Sequence, residues 1–299
     1  MPSVVFVING TLAKSSGHFL PLCAAIAANA GWTPEFVVTE KAGAGTEAAR
    51  AAVAQGTDLV VAAGGDGTVR GCAEGLAGTD VPMGIVPLGT GNLLARTLGI
   101  PTHPGAALDV ALGTGHDTRD TRIDLATADG MPFTAMAGMG LDAAVVAGTK
   151  LKHHLGWLAY AMSGAVHLAI PPVPFSIRID GHTITREARC VVVGNSGLLP
   201  GGFTLLPEAR VEDGLLDVGV LAPHGPFGWV QVATRVLTRS RHPNPHLERL
   251  QARTVEITAE AALPREIDGE IVASARTLTV LVRPAALTVR VPATARGHR

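Results

Sequence analysis

The sequence predicts an α/β domain followed by an all-β domain. Three observations carry this: apolar runs alternating with helical segments in the first 122 residues, short strands punctuated by Asp-Gly and Pro after that, and a length of 299 residues, more than one ordinary core needs. Residues 4–8 are a continuous apolar run ending at Asn9-Gly10, as expected of a strand buried on both faces. A helix over 20–30, a strand at 36–38, a helix over 47–54 and a strand at 59–63 follow. A helix from Val69 to about Leu76 and a strand at 84–87 complete a β-α-β-α rhythm, which argues for a parallel sheet covered by helices on both sides.

After Arg122 the texture changes. Asp129-Gly130 and Asp180-Gly181 each lie between two β-type segments, the signal of a two-residue hairpin. Further β segments at 190–193, 216–221, 255–259, 278–282 and 287–291 point to an antiparallel sandwich or barrel. The domains are therefore expected at 1–122 and 123–291, with the tail 292–299 free to return to the first. A helix over 155–169, with Lys150, Lys152, His153 and His154 before it and Pro171-Pro172 after it, reads either as a helix packed on the sandwich or as a lipid-facing helix with a basic collar.

Composition excludes several classes. A formal net charge of −1 gives no bulk attraction to nucleic acid or to an anionic membrane. Cys23, Cys72 and Cys190 form no C-x-x-C pair, so reduced, buried thiols are expected rather than disulfides or a zinc site. No leader pattern and no apolar run of ~18–20 residues is found, so the expected location is cytoplasmic, with contact to a membrane from its surface only.

The chemistry-bearing strings are glycine loops. Gly64-Gly65-Asp66-Gly67-Thr68 lies between a strand and a helix, where backbone N–H groups and the helix dipole favour an anion and glycine permits close approach. A carboxylate in such a cradle makes sense if Asp66 holds Mg²⁺. A second loop, Pro87-Leu88-Gly89-Thr90-Gly91-Asn92, follows the next strand, so both loops would face one crevice. Neither the Walker pattern with its Lys nor G-x-G-x-x-G is present.

These two strings, extended by Val69 and by Leu93-Leu94-Ala95-Arg96, resemble the diacylglycerol kinase catalytic family, which includes sphingosine and bacterial lipid kinases. Gly138-Met139-Gly140-Leu141-Asp142-Ala143, Asp213-Gly214-Leu215-Leu216-Asp217 and Ile267-Asp268-Gly269-Glu270 match three further family segments in family order. The resemblance implies an NAD-kinase-like doubly wound nucleotide domain, a β-sandwich lipid domain and a cleft between them. It implies an ATP- and Mg²⁺-dependent kinase that phosphorylates a lipid alcohol, diacylglycerol or a sphingoid-type acceptor, at a membrane surface.

The resemblance also implies roles. Asn9, Thr39, Gly64, Gly65, Asp66, Gly67, Thr68 and Thr90 would surround the nucleotide. Asp66 would organise the catalytic Mg²⁺ and Glu270 would be the general base. Asp213 and the Leu215 carbonyl would hold a separate structural Mg²⁺, with Asp124 in the shell of the active-site metal.

The sequence departs from the family pattern in three places. Leu93 stands where many bacterial diacylglycerol kinases carry Asp, Arg70-Gly71 replaces the more usual Asn-Glu, and Asn9-Gly10-Thr11 lacks the common Asn-Pro. Two other readings share the glycine loops: an NAD kinase-like enzyme, and a nucleotide-binding regulatory protein without strong catalysis. β-rich edges leave a homodimer open.

Overall fold

A computed structural model of the chain describes residues 1–11, 19–40, 43–115, 117–140, 171–199, 202–238, 242 and 244–294. The chain packs as two units, Met1–Leu125 with Ala285–Arg299, and Ala126–Pro284. The return to the first unit thus begins at Ala285, ahead of the residue 292 expected from sequence, because residues 278–282 and 287–291 are not two strands but parts of one long one.

In the first unit, β1 (Ser3–Asn9), β2 (Thr33–Thr39), β3 (Leu59–Gly64) and β4 (Met83–Pro87) form a parallel sheet in the order β2-β1-β3-β4. β3 and β4 are buried along their whole length, and Val4 to Ile8 of β1 are too, which is why these strands read as continuous apolar runs. The helices α1 (Phe19–Asn29), α2 (Ala44–Ala54), α3 (Asp66–Leu76), α4 (Leu93–Thr97) and α5 (Pro104–Leu112) follow the strands in turn. Gly75 of α3 is packed so closely on α2 that an added Cβ would lie 2.6 Å from the Ala49 side chain. α5 has Pro at its N-terminus and Gly113 beyond its C-terminus, at φ 73.

The second unit is antiparallel: β6 (Met131–Phe133), β7 (Met136–Gly140), β8 (Val173–Ile179), β9 (His182–Ala188), β10 (Cys190–Gly194), β11 (Leu216–Leu221), β12 (Leu247–Ala252) and β13 (Thr254–Ile267), with one helix among its described residues, α6 (Gly225–Thr238). β7, β10, β11 and β12 pair in that order. β13 pairs with β8 through Val255–Ala259 and with β7 through Arg265–Ile267, with register shifts between Thr258 and Arg265. A strand that bulges and changes partners in this way turns the corner between the layers of a sandwich. The core between them includes Phe133, Phe175, Ile177, Val191, Val218 and Leu278.

Two strands belong to both units: β5 (Thr118–Ala128) and β14 (Glu270–Pro292). On the first-unit side, Val289 of β14 pairs with Met83 of β4, and the Arg290 guanidinium holds both oxygens of Asp120 at 2.8 and 3.0 Å.

All three cysteines are free and buried, as expected, and burial pushes the Cys23 and Cys72 thiols up to about 12. Among the described residues no helix is long and apolar enough to cross a membrane. The helix expected over 155–169 and its basic collar lie outside the described residues.

Candidate active site

The strand order β2-β1-β3-β4 has its switch point between β1 and β3, where the connections leave in opposite directions, and ligands of such sheets bind beyond the carboxyl ends of the strands there. β1 ends at Asn9 and β3 at Gly64. Thr39 closes β2, paired with Asn9, and Thr90 lies in the loop after β4. The residues expected around a nucleotide are therefore all at one end of one sheet.

The two glycine loops are closed backbone against backbone. A Cβ on Gly89 would lie 2.6 Å from the Gly65 Cα, and one on Gly64 would lie 2.4 Å from the Thr68 Oγ1. Neither position tolerates a side chain, so glycine is required by contact. α3 begins at Asp66, three residues before the start expected from sequence, so Asp66 sits in its first turn. The Thr68 and Val69 N–H groups both donate to the Gly65 carbonyl. Thr68 is buried, and Gly67 and Thr90 are exposed.

Asp66 joins the loops. Its Oδ2 accepts the Asn92 N–H at 2.8 Å and its Oδ1 the Leu93 N–H at 2.6 Å, at the start of α4. Asn92, in the left-handed region at φ 49, closes its own loop by accepting the Gly89 N–H at 3.0 Å and donating to the Gly89 carbonyl at 2.7 Å. A Cβ on Gly91 would lie 2.5 Å from the Asp66 Oδ2. Leu93 enters this arrangement through its N–H alone, and its side chain is buried in the core. The departure from the family's Asp thus leaves the clasp between the loops intact.

Two other expected residues have structural partners. The Thr39 hydroxyl donates to the Ile8 carbonyl at 3.2 Å, and the Asn9 Oδ1 accepts the Thr11 N–H at 3.1 Å. Asp124, buried on β5, accepts the Ala285 N–H at 2.8 Å and so fastens β14 where Ala285 takes φ 48.

In the second unit Glu270 is exposed and opens β14, immediately after the two-residue turn Asp268-Gly269. Asp268 at φ 48 and Gly269 at φ 81 give the type I′ geometry that this dipeptide favours. The turn is held from both sides. The Asp268 carboxylate accepts the N–H groups of Thr134, Ala135 and Met136 at 2.9, 2.8 and 3.2 Å, and the Thr134 hydroxyl at 3.2 Å. Glu266, buried, accepts the Gly269 N–H at 2.6 Å. Three acidic residues at alternate positions therefore divide, two fastening the turn and the third presented by it. Sequence reasoning does not single out Glu266 or Asp268 as functional; the alternation at 266, 268 and 270 is the signal that could have done so.

The Asp213 string forms a turn in which the Asp213 Oδ1 accepts the Leu215 N–H at 3.0 Å and Gly214 takes φ 72. Asp217 behind it is buried. Its Oδ1 accepts the Gln251 amide at 3.3 Å, and its Oδ2 has no hydrogen-bond partner. Burial, and next the charge of Asp213, push the Asp217 carboxyl up to about 6. Gly138 and Gly140 of the glycine-rich segment lie in β7, and a Cβ on Gly140 would meet the Arg189 carbonyl at 2.5 Å. Leu141, Asp142 and Ala143 lie outside the described residues. No cluster of three or more His, Cys, Asp or Glu side chains with metal-binding geometry occurs among the described residues.

Residues 3–125 match the diacylglycerol kinase catalytic domain, and residues 135–291 the YegS C-terminal NAD kinase β-sandwich-like domain. The chain belongs to the diacylglycerol kinase catalytic-domain family. Its NAD-kinase-like α/β domain and β-sandwich are those the sequence led one to expect. A Pseudomonas fluorescens relative named "Probable lipid kinase YegS-like" is 34% identical over 88% of this chain and 87% of its own. A Bacillus subtilis diacylglycerol kinase is 31% identical over 81% of this chain and 80% of its own. The crystal structure of a candidate diacylglycerol kinase from Bacillus anthracis superposes with a TM-score of 0.83 over 98% of this chain and 96% of its own, at 24% identity, which speaks for the fold. Membership places the chain among lipid kinases.

Proposed function

We propose that the chain transfers the γ-phosphate of ATP, with Mg²⁺, to the hydroxyl of a lipid such as a diacylglycerol or a sphingoid-type alcohol. The observation that carries this reading is the pair of glycine loops at the sheet switch point, held together by one carboxylate. Backbone at Gly64 and Gly89 with no room for a Cβ, beside the first turn of α3, suits the oxygens of a polyphosphate. Asn9, Thr39, Thr68 and Thr90 line the same end of the sheet, with Thr90 the exposed hydroxyl among them.

The acidic residues fit a hard divalent cation. Each Asp66 oxygen accepts one backbone N–H and keeps a second lone pair. Mg²⁺ bound there would neutralise charge on the transferred group. Asp213 and the Leu215 carbonyl, brought together in one turn, fit a second, structural cation. Asp124, tied to Ala285, acts on this reading as a buried support rather than a ligand. Glu270, exposed and held by a fixed turn, takes the proton from the lipid hydroxyl, a contribution of about 10²–10⁴ in rate.

The test is transfer of labelled phosphate from ATP–Mg²⁺ to diacylglycerol, monoacylglycerol, a sphingoid base and a polyprenol in mixed micelles, with NAD⁺ as a soluble acceptor. Label on a lipid and none on NAD⁺ is expected. Label on NAD⁺ alone would move the chain to the NAD kinase reading, and ATP binding without transfer to any acceptor would make it a nucleotide-binding regulator.

A further inference from the structure

α6 has two apolar faces, and only one is used by the core. Trp229, Val232 and Val236 are buried against Leu205, Leu206 and Leu221. Facing away are Phe227, Val230 and Leu237, exposed to 73%, 60% and 54%. Met1 apart, these are the most exposed large apolar side chains among the described residues. With Thr234 they stand at i, i+3, i+7 and i+10, one stripe along the helix.

The two threonines on this side are turned inward. The Thr234 hydroxyl donates to the Val230 carbonyl and the Thr238 hydroxyl to the Thr234 carbonyl, each at 2.8 Å. Their hydrogen bonds are made on the helix itself, which leaves methyl groups outward. The charge along this stretch of chain has one sign. From Val218 to Leu247 the sequence has no Asp or Glu, but it has Arg235, Arg239 and Arg241 with His224, His242 and His246, in a chain of net charge −1.

We propose that α6 is the surface by which the protein docks on an anionic lipid bilayer, the helix lying in the interface with Phe227, Val230 and Leu237 among the acyl chains. The choice of a bilayer rests on the lipid-kinase reading, since such an acceptor resides in one. Charge favours it over a second copy of the chain, because two copies paired through α6 would bring like-charged, acid-free segments together. At 14 residues α6 is about 21 Å long, too short to span a bilayer and suited to lie on one.

The test is co-sedimentation of the full chain, without ATP, with vesicles of phosphatidylcholine alone and of phosphatidylcholine with phosphatidylglycerol. The protein is expected to bind the second more strongly. Phe227→Ser with Leu237→Ser should lower the apparent partition coefficient about tenfold with an unchanged melting temperature, since exposed side chains are removed. Phe227→Trp should keep the binding. Equal binding of the serine variant, or binding indifferent to phosphatidylglycerol, would overturn the proposal. So would a wild-type dimer in sedimentation velocity that the serine variant dissociates, which would make the stripe an interface between copies. Transfer to a detergent-dispersed lipid should be the same in wild type and variant. Its absence from both would count against the kinase reading and leave the vesicle result standing.

Discussion

In the first unit one carboxylate is proposed to do two things, while in the second the same work would be divided among three. Asp66 fastens the loop after β4 to the loop after β3 through two backbone N–H groups, and on the proposed function it also meets a cation at the glycine loops. In the second unit Asp268 and Glu266 fasten the turn, and Glu270 is the exposed acid that, on the proposed function, reacts. The difference follows from the backbone each must hold. Two glycine loops in van der Waals contact leave no room for a dedicated fastener, whereas a hairpin alternates its side chains and can turn successive acids to opposite uses.

Four substitutions or conditions would break or sharpen that contrast. The largest expected effect on stability is from Asp268→Ala, which strands three backbone N–H groups and should cost the second unit about 4 kcal/mol in urea unfolding. ATP affinity should be unchanged while turnover falls, because the turn carrying Glu270 is loosened. Next is Asp66→Asn, which keeps one acceptor oxygen and loses the charge. About 3 kcal/mol should be lost from the first unit, together with ATP binding. Stability equal to wild type in this variant would mean that the clasp contributes nothing and that Asp66 serves the cation alone.

The third concerns pH. Asp217 has its carboxyl raised from 3.8 to about 6, so the folded state holds that proton more tightly than the unfolded chain. Its stability contribution is complete below about pH 4 and is lost as pH rises through 6. In EDTA the second unit should therefore weaken by up to about 3 kcal/mol between about pH 4 and pH 7, and Asp217→Asn should flatten the profile. Fourth, and smallest, Mg²⁺ should recover part of this loss at neutral pH in the wild type but not in Asp213→Ala. Equal profiles with and without Mg²⁺ would remove the structural cation.

Much of this is legible in the sequence, for identifiable reasons. Buried parallel strands are continuous apolar runs, so β1, β3 and β4 can be read nearly to the residue. Asp129-Gly130 and Asp180-Gly181 announce their hairpins, and both Asp residues do take positive φ. What is not legible has physical causes too. β14 reads as two strands because Pro284-Ala285 looks like a break, yet the strand continues through Ala285 at φ 48 with Asp124 holding its N–H. α6 escapes sequence reading because its outward stripe is as apolar as its core face, which blurs the helical period. α3 reads as starting late because Gly67 looks like loop, although Gly65 already accepts the first N–H groups of the helix.

At the site, sequence indicates the glycine loops, Asp66 and Glu270, but it does not show which carboxylates the backbone consumes. The parts played by Asn92, Glu266, Asp268 and Asp217 become visible only with the hydrogen bonds.

The most direct test of the division between fastening and reacting carboxylates is Glu270→Gln, followed by turnover on the lipid acceptor, ATP affinity and unfolding. A fall in kcat of about 10²–10⁴ is expected, with ATP affinity and stability unchanged. Retained turnover would remove Glu270 from the reaction, and a large loss of stability would make it one more fastener of its turn.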